Sequence, residues 1–409
     1  MLITIIIILA VLSGLSFAYG AHRAKVWEDS KQRLSSRPGH YAWYAVIKFT
    51  VPSWLLLFAA LLLKTTKIAV ISPAVVLACS ALLVIAGFII SSKKFSPLLN
   101  ARVIVEKHIR YLLIAASLVS ILTTVGIVFS ILFEAIIFFK HVNVIDFLTG
   151  TSWNPDTAFL EGAGRESEHA AKPEFGSAPI FAGTFMITLI SLSVSVPVGL
   201  FAAIFLSEYA SNNFRKVFKP VLEILAGIPT VVYGFFAALT VSPLVVKVAG
   251  FFGLQADYTN ALAPGLVMGI MIIPFISSLS DDVINAVPQS LREGGLALGT
   301  TKSETIKQII LPAAMPGIVS AILLAVSRAV GETMIVVMAA GLRPNLTWNP
   351  LEGMTTVTVQ IVDALTGDQA FDSLATLSAF GLGLVLLIFT FIINLVSTYI
   401  VRRYRKIYE

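Results

Sequence analysis

The sequence predicts an all-α, polytopic membrane protein, and three observations carry that prediction. Of 409 residues, 57% are hydrophobic and only 13% are charged, a balance that no soluble globular domain needs. Nine apolar runs are long enough for a helix to cross a bilayer; they lie near 2–19, 43–63, 68–90, 111–139, 178–207, 221–246, 261–280, 313–341 and 374–401. The basic residues are also sorted. Of the 29 Lys and Arg, 20 fall in segments 20–42, 91–110, 208–220, 281–312 and 402–409, and seven fall in 64–67, 140–177, 247–260 and 342–373.

That asymmetry sets the expected topology, because cytoplasmic loops carry the excess of Lys and Arg. The first set of loops and the C-terminus are expected to be cytoplasmic, and the second set external. The net charge of +6 follows from this sorting and does not require a nucleic-acid partner. The first run lacks a basic stretch before it and carries its charges after it, which reads as an anchor with its N-terminus outside rather than as a leader peptide. The single cysteine, Cys79, excludes a disulfide framework. The five histidines are scattered outside the apolar runs, so neither a metal centre nor a cofactor is expected.

Two parts are expected. Residues 1–105 hold three spans and a basic loop without recognisable chemistry, and residues 106–409 hold six spans and every informative motif. The external segments 140–177 and 342–373 include Trp153, Glu161, Glu166, Glu168, Trp348 and Glu352. They suit either contact with an external partner or a solvated connector with interfacial tryptophans.

Between the seventh and eighth runs lies a polar stretch, 281–312. Pro288 suits the first position of a helix, and Gly299 suits the left-handed residue that closes it. Thr301 and Glu304 have capping-box spacing for a second short helix, in which Ile306, Ile309 and Ile310 recur at helical intervals. Pro312 ends that turn or opens the next span. The expected product is a knob at the bilayer surface, shaped to fill a groove on a partner.

Three intramembrane stretches carry candidate chemistry. In the eighth run, Arg328 and Glu332 are four residues apart and would share a helix face, with Ser327 and Thr333 beside them and Gly331 between. A charge at mid-bilayer costs about 2.5–3.5 kcal/mol on insertion scales, so these residues must pair or line a wet path. A guanidinium matches tetrahedral oxyanions in bidentate fashion. In the sixth run, Gly227, Pro229 and Gly234 are expected to break the helix at membrane depth, freeing the hydroxyls of Thr230 and Tyr233. In the seventh, Pro274 is expected to kink the helix beside Ser277 and Ser278, and Asp281-Asp282 marks the membrane exit.

The knob resembles the EAA loop of ABC importer permeases at Glu293, Gly299, Ile309, Leu311 and Pro312. It departs at Gly294 and Gly295, where alanine is usual. GIPTVVYG at 227–234, the 276–299 stretch and SRAVGETM at 327–334 together resemble the phosphate-specific permeases PstC and PstA. The segments FLTGTSWNP, FGSAPIFAGT and FLSEYA point to the PstC branch. This resemblance covers about residues 110–409. It implies a six-span type I importer core in a bacterial inner membrane, carrying about three extra N-terminal spans. It also implies a PstA-like permease as heterodimer partner, two PstB-like ATP-binding subunits on the Glu293 knob, a PstS-like periplasmic phosphate-binding protein, and a link to a PhoU-type regulator and a sensor kinase. Arg328 and Glu332 match family residues implicated in transport.

The chain contains no Gly-Lys pair and hence no P-loop, so ATP hydrolysis is expected on another polypeptide. Two other readings compete. A buried Arg does not distinguish phosphate from molybdate, tungstate or a phosphonate. An enzyme acting on lipid phosphates would want a histidine near Arg328, and the sequence offers none.

Overall fold

The computed structural model describes residues 2–30, 32–65, 72–155, 173–366 and 373–408. Two compact units divide the chain, Met1–Gly126 and Ile127–Glu409. Among the described residues, eight helices are long and apolar enough to cross a membrane, and a pair bent by 44° makes a ninth crossing.

The first unit is built from α1 (Leu2–Asp29), α2 (Pro38–Phe49), α3 (Val51–Thr65), α4 (Pro73–Ser92) and the start of α5 (Ala101–His141). The bend between α2 and α3 falls at Thr50 and Pro52. Thr50 bonds back to the Val46 carbonyl, and Ser13 of α1 donates to Thr50. At one end of this unit Trp27, Tyr41, Tyr44, Phe49 and Phe95 pack as one aromatic cluster.

In the second unit, α5 ends beside α6 (Val144–Thr149). A two-stranded antiparallel sheet then pairs β1 (Trp153–Asn154) with β2 (Glu174–Phe175), Trp153 opposite Phe175. Trp153 is 3% exposed, and its indole donates to Gln360 at 3.0 Å. It is a core residue rather than an interfacial one, because its N–H finds a buried acceptor. Trp348 is 93% exposed. Glu161, Glu166 and Glu168 lie outside the described residues.

The helices that follow are α7 (Ala178–Ile204), α8 (Asn212–Ala226), α9 (Thr230–Phe236), α10 (Ser242–Phe251), α11 (Leu262–Asn285), α12 (Gln289–Ala297), α13 (Lys302–Thr305), α14 (Leu311–Val330), α15 (Met334–Ala339), α16 (Val357–Thr366) and α17 (Leu374–Tyr408). Short π-helical turns join α9 to α10 and α13 to α14, and another follows α7. α7 and α11 run in parallel and form the tightest pair. A methyl group at Gly265 would meet Ile190, one at Gly269 would meet Ser191 and Val194, and one at Gly199 would meet Ile276. Small residues permit such close backbone approach where lipid supplies no hydrophobic drive. Among the described spans α11 is accordingly the most enclosed, with 61% of its apolar core stretch buried.

Three expectations about the spans need correction. The sixth crossing begins at Thr230, not 221, because the preceding segment is the separate helix α8. That helix sets Arg215, Lys216 and Lys219 against exposed Phe214, Val217, Phe218 and Val221, a two-faced pattern that a hydropathy run absorbs. The eighth crossing, expected through 341, is interrupted at Gly331–Thr333. The second knob helix is not a separate element, since α13, its π-turn and α14 form one 29-residue helix from Lys302 to Val330. Pro312 sits in the first turn of α14. The widened π-turn before it shifts the carbonyl register, so the missing N–H interrupts nothing.

Candidate functional site

The knob is local chemistry first. Gly299 has φ +83°, the left-handed conformation expected of a residue that closes a helix. Thr301 and Glu304 make both halves of the capping box: Glu304 N–H donates to Thr301 Oγ1 at 3.3 Å, and Thr301 N–H donates to Glu304 Oε2 at 2.8 Å. Pro288 is the N-cap of α12 rather than its first residue, a shift of one position. Ile306 and Ile310 are buried with Ile284, Val287 and Ala314, which roots the knob in the membrane helices. Glu293 is exposed, as are Leu291, Leu296 and Leu298, the last at 86%.

The two glycines that depart from alanine behave differently. A methyl at Gly295 would meet Ile309 Cδ1 at 2.6 Å and Thr305 Cγ2 at 3.1 Å, so glycine there lets the Ile309 side chain lie on α12. Leu311 packs against the same buried group. At Gly294 nothing lies within 4 Å of such a methyl. Gly294→Ala is expected to stabilise α12 by about 1 kcal/mol, read as a higher thermal midpoint, whereas Gly295→Ala gives less because Ile309 must move.

Two sets of contacts that sequence reasoning missed anchor the knob. Arg292 donates to the Ile284 carbonyl at 2.6 Å and lies 3.3 Å from Glu208 Oε1, which ties α12 to the ends of α11 and α7. Asp281, only 2% exposed as a side chain, accepts two bonds from Arg215 Nη2 (3.1 and 2.8 Å), one from Lys219 (2.9 Å) and one from Asn285 Nδ2 (2.9 Å). Lys219 also reaches Asp282 at 3.0 Å. Hydrogen bonding to Asp281 holds the Lys219 ammonium above the ordinary lysine range, against desolvation. The available signal was the 62–66 residue separation of opposite charges at two neighbouring membrane exits, which single-segment reading does not use.

The helix breaks form the second constellation. α8 and α9 part at Gly227–Pro229, and Pro229 is the N-cap of α9 rather than a mid-helix residue. Tyr233 is buried and its hydroxyl donates to the Leu225 carbonyl at 2.9 Å, stapling this break; the expectation of a free hydroxyl is corrected. Thr230, half-buried, opens α9. Gly234 is no break: it lies inside α9, where it admits Met338 and the Met334 carbonyl of α15. Pro274 lies within α11, which stays one helix, with Ser278 half-buried beside it. Ser277 is 1% exposed, and its hydroxyl has no hydrogen-bond partner among the described residues, so it faces packed neighbours, not an open path.

Arg328 and Glu332 do not share a helix face. α14 ends at Val330, Gly331 is its C-cap, and Glu332 falls in the turn beyond. Glu332 Oε1 instead accepts the Met334 N–H at 3.1 Å, capping α15, and its carbonyl accepts the Thr358 hydroxyl at 2.8 Å. A carboxylate is favoured there because the first N–H groups of a helix lack internal partners. Thr333 is the N-cap residue, and Ser327 is half-buried one turn earlier. Arg328 is exposed; its guanidinium carbon lies 5.6 Å from the Phe275 ring centroid, and it makes no ion pair among the described residues. The α14 C-terminus favours a cation, and the ring face adds a cation–π contact. Thr358→Val removes one tie on the Glu332 turn and is expected to cost about 1 kcal/mol, read as a lower thermal midpoint. Gln360, which also reaches the Leu342 carbonyl, would hold α16 in place.

The family model described as "Binding-protein-dependent transport system inner membrane component" matches residues 195–406, which is more than half of the chain. The chain belongs to that family. It is a permease subunit of an ABC-type importer, and its role is transport rather than catalysis. A second model, described as "Phosphate ATP-binding cassette transporter", matches residues 6–92. Among curated relatives, a probable ABC transporter permease protein of Bacillus subtilis, YqgH, is 35% identical over 65% of this chain and 80% of its own length. The phosphate transport system permease protein PstC of Mesorhizobium japonicum is 33% identical over 63% and 78%. PstC 1 of Mycobacterium tuberculosis is 32% identical over 64% and 83%. A solved bacterial alginate ABC transporter chain aligns with a TM-score of 0.49 at 17% identity, over 72% of this permease and 94% of that chain.

Proposed function

We propose that this permease and a second, PstA-like permease enclose the path of an ATP-driven inorganic phosphate importer. The observation that carries the reading is Arg328: a permanent cation, exposed at the end of an apolar helix, unpaired among the described residues and set beside a helix break. A cation in that position is costly unless water, an anion or a partner subunit faces it. Phosphate meets the guanidinium through two oxygens, and Ser327, Thr333, Thr230 and Ser278 supply hydroxyls along the same route. Glu332 acts by fixing the turn that presents Arg328. The relatives named as phosphate permeases favour phosphate over other oxyanions.

The knob docks two features on a PstB-like ATPase, the Glu293 carboxylate and the exposed Leu291, Leu296 and Leu298. The second permease carries its own knob to the second ATPase copy. The excess of Lys and Arg puts the knob on the cytoplasmic side of a bacterial inner membrane, with the N-terminus periplasmic. A PstS-like binding protein delivers phosphate at the other face, and a PhoU-type regulator and sensor kinase read the state of the complex.

The test is uptake of labelled phosphate by proteoliposomes holding the complex that co-purifies with this chain. ATP-dependent uptake that excess molybdate or a phosphonate fails to suppress supports the reading. Uptake suppressed equally by molybdate reassigns the substrate, and co-purification without an ATPase ends the proposal.

A further inference from the structure

The first unit holds a polar cavity of about 750 Å³ that nothing above uses. Glu28 at the end of α1, Arg37 and His40 at the start of α2, and Arg102 and Glu106 at the start of α5 line it. Its walls are fixed. Ser35 N–H donates to the Pro97 carbonyl at 3.1 Å, Tyr41 OH to the same carbonyl at 2.7 Å, and the Arg102 N–H to Ser36 Oγ at 3.2 Å. Two helix N-termini, those of α2 and α5, converge here, and α2 has no side-chain cap.

The charges are only partly spent. Arg102 uses Nε on Glu106 at 2.6 Å, which leaves both terminal amino groups of its guanidinium for another acceptor. Arg37 is exposed and has no ion pair among the described residues. His40 lines the same wall, with its Nδ1 buried and without a hydrogen-bond partner among them. Glu28, also in the lining, is exposed and has no ion pair among the described residues. The lining is therefore two-signed: two guanidiniums and two helix N-termini, with Glu28 and the Arg102-paired Glu106 as its carboxylates.

Depth narrows the ligand further. Beside the cavity Trp27 packs edge-on to Tyr41 with centroids 5.8 Å apart, and Arg23 stands 5.7 Å from the Trp27 ring. The cavity lies where α1 ends and α2 and α5 begin, the level at which three apolar helices emerge and a membrane protein meets the headgroup layer. We infer that this cavity binds the headgroup of a zwitterionic phospholipid. The phosphodiester lies between Arg37 and Arg102, and the ammonium reaches Glu28. A free phosphate dianion would satisfy the arginines but meet Glu28 with like charge, and an anionic headgroup would leave Glu28 without a partner.

The experiment is native mass spectrometry of the full-length protein in detergent. It is titrated separately with phosphatidylethanolamine, phosphatidylglycerol and inorganic phosphate. The expected result is at least tenfold tighter binding of phosphatidylethanolamine than of the other two. Arg37→Gln should weaken that binding at least tenfold, and Glu28→Gln should erase the preference by raising phosphatidylglycerol binding. Lys93→Ala with Lys94→Ala, at exposed positions nearby, should change nothing. Arg37 has no side-chain ion pair to lose among the described residues, so its variant remains informative if Arg102→Gln fails to fold. Equal binding of the two lipids, an Arg37→Gln protein that behaves like the parent, or displacement of lipid by inorganic phosphate would each overturn the inference.

Discussion

Arg328→Gln is expected to leave the complex assembled and to reduce ATP-driven phosphate uptake by roughly 100-fold, the scale of losing a charged hydrogen-bonding group worth about 1.5–3 kcal/mol. The structural cost should be small. Arg328 is exposed and makes no ion pair among the described residues; its contact is the Phe275 ring at 5.6 Å, worth about 0.5–1 kcal/mol at an exposed site. Co-purification of the partners and an unchanged thermal midpoint would therefore accompany the lost uptake. Arg328→Lys is the informative companion, because it keeps the charge and removes the planar fork. Partial uptake with Lys and none with Gln would assign the effect to charge; loss with both would assign it to bidentate geometry. Full uptake by the Gln variant would remove Arg328 from the route.

The second large effect concerns the joint beneath the knob. Removing both cations, Arg215→Ala with Lys219→Ala, is expected to destabilise the protein by about 3–5 kcal/mol, because it strands a buried carboxylate without a countercharge. Asp281 is 2% exposed at its side chain, whereas Arg215 and Lys219 are about a third exposed (30% and 29%), so the cost falls on the acid. Asp281→Asn added to the double variant should restore much of the loss by removing the stranded charge, and this cycle separates the charge effect from lost packing. The readout is the thermal midpoint in detergent. The Lys219 ammonium is held above its ordinary range. Its share of the stability is therefore present in full below the ordinary lysine range and lost only as pH climbs through the raised value. No change is expected between pH 6 and 9.

The knob was legible because its signals are local. A glycine that must take positive φ and a T-x-x-E cap depend on four or five adjacent residues, and Gly299, Thr301 and Glu304 behave as their spacing implies. The apolar runs were legible for the same reason, each being a property of about 20 consecutive residues. Reading failed where the deciding partner was remote. Arg328 and Glu332 look like an i, i+4 pair until the helix stops at Val330, and that stop is held from outside, by Thr358 on the Glu332 carbonyl. The sequence expects a free Tyr233 hydroxyl, yet it closes a break eight residues back at Leu225. Asp281 read as a boundary marker, and its meaning came from α8, a helix that begins in the expected 208–220 loop and runs into the start of an apparent membrane run. Neither reading of Trp153, partner contact or interfacial connector, anticipates a core residue, because its acceptor, Gln360, lies 207 positions away.

The uninterrupted course of the chain from Lys302 to Val330 has a mechanical consequence. At 1.5 Å per residue those 29 residues make a rod about 43 Å long, with the knob's capping box at one end and Arg328 in the last turn of the other. A tilt of about 5° at the ATPase end, transmitted by such a rod, displaces the guanidinium by roughly 4 Å, more than a hydrogen-bond length. The π-turn at Ile306–Ile310 and Pro316 are where the rod can flex. Under the proposed docking and route, stiffness between the foot and the tip decides how much of each ATPase stroke reaches an anion at Arg328.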